Sequence, residues 1–436
     1  MSYRKRLTRD LDRWIGAGLV PAGNRAAILG DIGPEPARWS ASGAVAILGA
    51  ALLAFAAISF VAANWAELPR LVRFAVILGA LWASYGGAAL AFARRNDTIG
   101  HALALLGAAL FGAAIALTAQ TFNMSAFRNT GVLIWAAGAL VTAVLIPSRP
   151  VLILAALVGG LWAASESANP LVPGAAWGYA ALWTVTLAAA LTLRSRVAVH
   201  LLAIAAIVWT GWTLFETTRP ALDVTDRAAV FALIAACAAM IAAAFRDRGG
   251  YGAGTLGAWF GAAALVAAFG LQSAGFGLGG GEAGPGTLYY MLGGTPLAIF
   301  ALAALVRTLR GDLGVLSAIA FVMAASAAFA MPIAFGFADE SATVSLELAA
   351  GVAVFAAAAA LVFAGARPGR GAVGILGVVL FVAQTLYVYG RLFGDLLSTA
   401  VFFLVGGLVL LAVSVLIGRL AERLGRAGDS HGETGA

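Results

Sequence analysis

The chain has little of what most catalytic and metal centres are built from. Its one cysteine, Cys237, sits mid-helix among alanines, so neither an internal disulfide nor a thiolate metal site can form. Three histidines, His101, His200 and His431, lie far apart, with no His-Glu-x-x-His or His-rich tract. A serine nucleophile needs an adjacent base, and no Gly-x-Ser-x-Gly or comparable setting occurs. The expectation is no catalytic residue, no cofactor and no metal, hence no enzyme. Charge is scarce as well, at 11% of residues against about 25% in soluble domains. With 62% hydrophobic residues, a soluble fold could not cover its surface with polar groups, so part of the solvent must be lipid. The +7 net charge does not imply nucleic acid, because the basic residues stand singly or in pairs between apolar runs and form no stripe. No secretory signal is expected either: the first apolar run begins near Gly43, beyond the reach of a signal peptide.

What the chain does have is long apolar runs, each suited to crossing about 30 Å of hydrocarbon. Fourteen are expected, at about 43–63, 71–93, 100–120, 131–146, 150–164, 175–193, 197–215, 228–245, 252–271, 287–306, 313–336, 344–365, 371–389 and 397–417. The fourth and fifth are short, and read either as a tilted pair or as one re-entrant hairpin. With the amino terminus inside, 21 of the 27 basic residues are cytosolic. Seven precede residue 43, and the rest fall in turns such as Arg94-Arg95, Arg194 with Arg196, and Arg246 with Arg248. The predicted fold is all-α, a polytopic integral membrane bundle of about fourteen transmembrane helices with both termini cytosolic. Its domains are a basic amphipathic segment (1–42), the transmembrane bundle (43–417) and a disordered cytosolic tail (418–436). The cytosolic turns recur every ~50–60 residues, which hints at a repeated hairpin.

In the amino-terminal segment Leu7, Leu11, Trp14 and Ile15 share one helical face beside Arg4, Lys5, Arg6, Arg9 and Arg13. It reads either as a helix lying on anionic lipid or as a docking surface for a cytosolic partner at residues 1–42. The opposite side of the membrane is acidic or neutral, with Glu166, Glu216, Asp223, Asp226, Glu282, Asp339 and Glu340 in its loops. No Asp, Lys or Arg falls near the middle of an expected span, which argues against a pump that carries ions through a titrating site. Polar residues within or beside the spans gather instead toward the outer side: Asn64, Trp65, Gln120, Asn123, Glu347, Gln384, Arg391 and Asp395. They read either as the lining of an outward-facing cavity that binds substrate or as separate interfacial residues. Gln384 and Glu347 must face other helices or water, since an unpaired amide or carboxylate in hydrocarbon costs several kcal/mol. Two functions follow. One is a transporter-like protein handling lipid or a small solute through that cavity, with membrane lipids as partners. The other is a non-transporting scaffold working through residues 1–42.

The stretch Phe60-Val-Ala-Ala-Asn-Trp65, with Arg70 and Arg73 after it, resembles a bacterial family of predicted membrane proteins, domain of unknown function 2157. Leu11-Asp-Arg-Trp14 with Gly18-Leu19, the span ending Ala119-Gln120-Thr-Phe122, and Tyr389-Gly-Arg-Leu-Phe-Gly-Asp395 with Thr399 to Gly407 also look similar. The resemblance is motif-like over about 5–125 and 385–417. It implies a location in the bacterial cytoplasmic (inner) membrane and brings no activity, substrate or catalytic residue.

Overall fold

A computed structural model describes residues 3–31, 69–121, 129–169, 176–271, 285–336, 340–365 and 371–392. Among them are fourteen helices and no strand. They are α1 Tyr3–Gly16, α2 Asn24–Asp31, α3 Arg70–Ala93, α4 Asp97–Thr121, α5 Thr130–Leu145, α6 Arg149–Ser167 and α7 Gly178–Thr192. There follow α8 Arg196–Thr217, α9 Val224–Asp247, α10 Ala253–Leu271, α11 Thr287–Leu309, α12 Val315–Gly336, α13 Glu340–Gly365 and α14 Gly371–Leu392. α3 to α14 fall on twelve of the expected apolar runs; the runs at 43–63 and 397–417 lie outside the described residues.

Eight of these helices (α3, α4, α6, α8, α9, α10, α11 and α12) are long and apolar enough to cross a membrane. α5 and α7 have 16 and 15 residues, about 24 and 22 Å at 1.5 Å per residue, short of a full hydrocarbon crossing. Within α13 and α14 the stretches Ala349–Phe363 and Val373–Val388 are apolar. The fourth and fifth expected runs are the helices α5 and α6, joined by a three-residue turn, as either a tilted pair or a re-entrant hairpin would be.

The chain divides into two compact units, residues 1–75 and 76–436. In the first, α1 and α2 form a hairpin in which Arg25 Nε donates to Asp12 Oδ1 at 2.9 Å. The break expected at Gly16 and Gly18 is there: Gly18 has φ +74° and the Leu19 N–H donates back to the Trp14 carbonyl.

In the second unit one turn recurs. After α3, α5, α7, α9 and α11 the chain closes with an N–H donating to the carbonyl five residues earlier: Asn96 to Ala91, Ser148 to Ala143, Ser195 to Ala190, Gly250 to Phe245 and Asp312 to Arg307. The residue before each donor has positive φ: Arg95, Pro147, Arg194, Gly249 and Gly311. This is the Schellman closure, which satisfies the last carbonyls of one helix within the turn. Glycine adopts that backbone freely, whereas at Arg95 and Arg194 the chain accepts about 1–2 kcal/mol of strain and keeps a cation there. These are the turns the sequence marks by their arginines. They are also stitched side by side: Arg149 Nε donates to the Leu193 carbonyl (2.8 Å), and the Tyr251 hydroxyl to that of Arg194 (2.8 Å). α6 and α8 therefore start at the same end and run parallel.

Small residues let the helices come close. Ala104, Ala139, Ala143, Ala190 and Ala203 are fully buried in the main core. Between α13 and α14, a Cβ at Gly377 would stand 2.7 Å from the Val362 nitrogen and 2.8 Å from the Ala358 carbonyl oxygen. Only glycine fits there.

Candidate functional site

A cavity of about 380 Å³ forms a groove between α6 and α8, with Tyr179 from the start of α7 at one end. That size suits a small organic ligand. Its lining extends from Ala156 to Ala168 along α6 and from Leu201 to Trp212 along α8. Twelve residues of rise make it about 18 Å long, more than half the hydrocarbon thickness of a bilayer. Its floor is small because Gly160, Ala163 and Ala205 bring little side chain between the two helices. Its rim is apolar and open sideways: Leu157, Val208 and Trp212 are each about half or more exposed.

The groove changes character along its length. Toward the tight turns it is bounded by Ala156, Leu157 and Leu201. At the far end stand Ser167, Tyr179, Trp209 and Trp212, backed by a cluster of Trp162, Ala163, Ala176 and Tyr179. Trp209 meets Trp177 and Tyr179 edge to face, with centroids 6.0 and 5.7 Å apart, geometries that fix the indole in place. Six buried side-chain polar atoms among the described residues have no hydrogen-bond partner, and three belong to this end: Ser167 Oγ, Tyr179 OH and Trp209 Nε1. The contrast with other indoles is direct. Trp135 donates to the Ala108 carbonyl, Trp183 to that of Leu202 and Trp259 to His200 Nδ1, all within 2.8–2.9 Å.

Beside the groove, Glu166 turns the other way. It is buried, and its Oε2 accepts the Asn129 backbone N–H (3.0 Å) and side-chain amide (3.4 Å), while that amide also donates to the Ser165 carbonyl (2.9 Å). A carboxylate over the amino terminus of α5 is electrostatically favourable. Glu166, expected in an acidic loop, is thus a buried link between α5 and α6. Asp226 is also buried and accepts the Asp223 N–H at the start of α9 (3.4 Å).

Of the residues expected to line an outer cavity, Asn64, Trp65, Asn123 and Asp395 lie outside the described residues. Gln120, Glu347 and Arg391 are on α4, α13 and α14, and their side chains lie outside the described residues. Gln384 is fully buried on α14, and its Nε2 donates to the Gly351 carbonyl of α13 at 3.4 Å. It faces another helix, one of the two alternatives its burial cost requires. Beside it Phe355 and Phe381 pack edge to face across the same seam. The cavity nearest to it, about 50 Å³ between α10, α12, α13 and α14, is lined by Ala, Leu, Val and Met and is small for any solute.

Two features escaped the sequence. One is the groove. Its signal was present: five of the 11 tryptophans (Trp162, Trp177, Trp183, Trp209, Trp212) fall within residues 162–212. The other is a buried ion pair. Arg307 Nε and Nη2 both reach Asp247 Oδ2 (2.9 and 2.7 Å), Nη1 donates to Met240 Sδ (3.1 Å), and Arg246 adds a longer contact to Oδ1 (3.6 Å). Arg307, counted among the cytosolic orienting charges, has a side chain only 5% exposed and ties α11 to α9. Asp247, flanked by Arg246 and Arg248 in a basic turn, was the available clue.

Among the described residues, no group of three or more His, Cys, Asp or Glu side chains is arranged to hold a metal. No curated protein and no solved structure matches the chain. The family model described as "Predicted membrane protein (DUF2157)" matches residues 12–152, from α1 into the first turn of α6, so the whole lining of the groove lies beyond it. The helices long and apolar enough to span a bilayer agree with that description. Over residues 12–152 the resemblance first seen from Phe60 to Arg73 is to the DUF2157 family of predicted membrane proteins.

Proposed function

We propose that this multi-pass membrane protein handles an amphiphile, taking it from the bilayer sideways into the groove between α6 and α8. The observation that carries the reading is the groove's lining: apolar walls along most of its length, with Ser167, Tyr179, Trp209 and Trp212 gathered at one end. A chain in the apolar part would bury surface at roughly 25 cal/mol per Å². A head would sit at the end where Ser167 and the aromatic residues replace the aliphatic wall. The reading keeps the bundle of fourteen spans with cytosolic termini in a bacterial inner membrane, in which the polar end of the groove faces outward. It assigns no chemistry, so the protein acts as a carrier or facilitator and not as an enzyme.

Native mass spectrometry on gently extracted full-length protein tests it. Wild type is expected to retain an amphiphile that is lost from Ala164→Leu, which fills the groove. A retained species indifferent to that change, or none at all, would overturn the reading and favour the scaffold acting through residues 1–42.

A further inference from the structure

Resting on the groove reading, we infer that the amphiphile is a lipid with an anionic phosphate in its head, held where Arg219 and Arg227 converge on the Phe215 ring. That ring continues the rim of the groove. Val208, Trp212 and Phe215 stand at i, i+4 and i+7 of α8, so they share one helical face, and all three are exposed, at 63, 44 and 40%. Val208 and Trp212 line the groove. Phe215 carries the same face about 4.5 Å further along the helix, beyond the end where Ser167 and the aromatic residues gather. A chain lying along this wall would bring its head to the Phe215 ring.

Two cations meet there from different elements. The Arg219 guanidinium, from the turn after α8, lies 5.0 Å from the ring centroid, and that of Arg227, from the first turn of α9, lies 4.9 Å away. A guanidinium resting over a ring keeps its N–H fork for a second partner, and such forks match the oxygens of a phosphate. The surrounding backbone is fixed. The Thr218 hydroxyl donates to the Leu214 carbonyl (2.6 Å), the Leu222 N–H to the Thr218 carbonyl (3.0 Å) and the Arg227 N–H to the Asp223 carbonyl (3.0 Å), with Leu222 buried. Three carboxylates share this end: Glu216, Asp223 and Asp226. Asp226 is buried and accepts the Asp223 N–H (3.4 Å), and among the described residues neither arginine is ion-paired with any of the three. α8 runs away from the arginine-bearing turn at Arg194, so this pair stands at the opposite end from the turns whose cations orient the bundle. Its place on the continued apolar rim commits it to a lipid, with the head at the ring and the chain in the groove.

The test is a titration of purified full-length protein in detergent with dioctanoyl phosphatidylglycerol and, separately, dioctanoylglycerol, which lacks the phosphate. The bound fraction is read by native mass spectrometry. Wild type is expected to bind the phosphatidylglycerol on the order of tenfold more tightly. Arg219→Gln and Arg227→Gln should each weaken it roughly three- to fivefold, what one exposed charged contact contributes, and the double variant should bring it level with the diacylglycerol. Diacylglycerol binding should not change in these variants, which also shows that they are folded. Should the double variant fail to fold, the single variants decide. Ala164→Leu should abolish binding of both lipids, and inorganic phosphate should displace neither. Equal binding of the two lipids by wild type, or a preference that survives both arginine changes, would overturn the anionic head; the groove reading would stand if Ala164→Leu still abolished both. Displacement of phosphatidylglycerol by an equal concentration of inorganic phosphate would make the arginines a free-phosphate site and overturn the lipid. If neither lipid responds to Ala164→Leu, the groove reading itself fails, and the head assignment with it.

Discussion

The contact between α9 and α11 and the groove between α6 and α8 bury polar groups under opposite terms. In the first, the Arg307 guanidinium meets Asp247 twice and Met240 once, so a charge that hydrocarbon could not hold alone has a carboxylate partner. In the second, a hydroxyl, a phenol and an indole N–H are sealed from solvent with no partner among the described residues. The α13–α14 seam follows the first pattern, since Gln384 finds the Gly351 carbonyl. Where a buried polar group serves packing, the fold supplies its partner.

The comparison can be broken at its strongest point. Asp247→Ala leaves Arg307 buried and unpaired, and should cost about 3–5 kcal/mol of stability in chemical unfolding of the solubilised protein. Replacing both partners with apolar residues should cost less than Asp247→Ala alone. A small loss in the single variant would mean that the pair is hydrated and not sealed.

A middle-sized effect is expected at the seam. Gln384→Leu keeps the side-chain volume and removes the amide, so thermal unfolding should show a loss of about 1 kcal/mol, the net worth of a typical hydrogen bond. Retention of any bound amphiphile should not change. If retention fell, Gln384 would belong to a binding site after all.

The smallest effect has the opposite sign. In ligand-free protein Tyr179→Phe removes a buried hydroxyl that has no partner, so stability should be unchanged or rise by up to about 1 kcal/mol. A clear loss of stability would show that the phenol is bonded within the folded protein, and the contrast between the two regions would collapse.

The helices themselves were legible. Twelve of the expected apolar runs reappear as α3 to α14, because an apolar segment of about twenty residues has few alternatives in lipid to satisfying its backbone internally. The arginine-bearing turns were legible too, although not their shared Schellman closure or the left-handed residues at Arg95 and Arg194. The candidate site was not. Ser167, Tyr179 and Trp209 are on three helices, and nothing in their local sequence separates them from ordinary interfacial residues. Likewise Arg307 read as one more cytosolic charge, because its partner is 60 residues away.

Composition and hydrophobic run length thus determined by themselves that this is an all-helical membrane protein and roughly where twelve of its helices fall. Those are local properties, fixed by what lipid demands of each segment in turn. Which buried polar groups would be paired was decided only by tertiary structure. Packing helices from distant parts of the chain gave Asp247 to Arg307 and Gly351 to Gln384, and left Ser167, Tyr179 and Trp209 with no partner among the described residues.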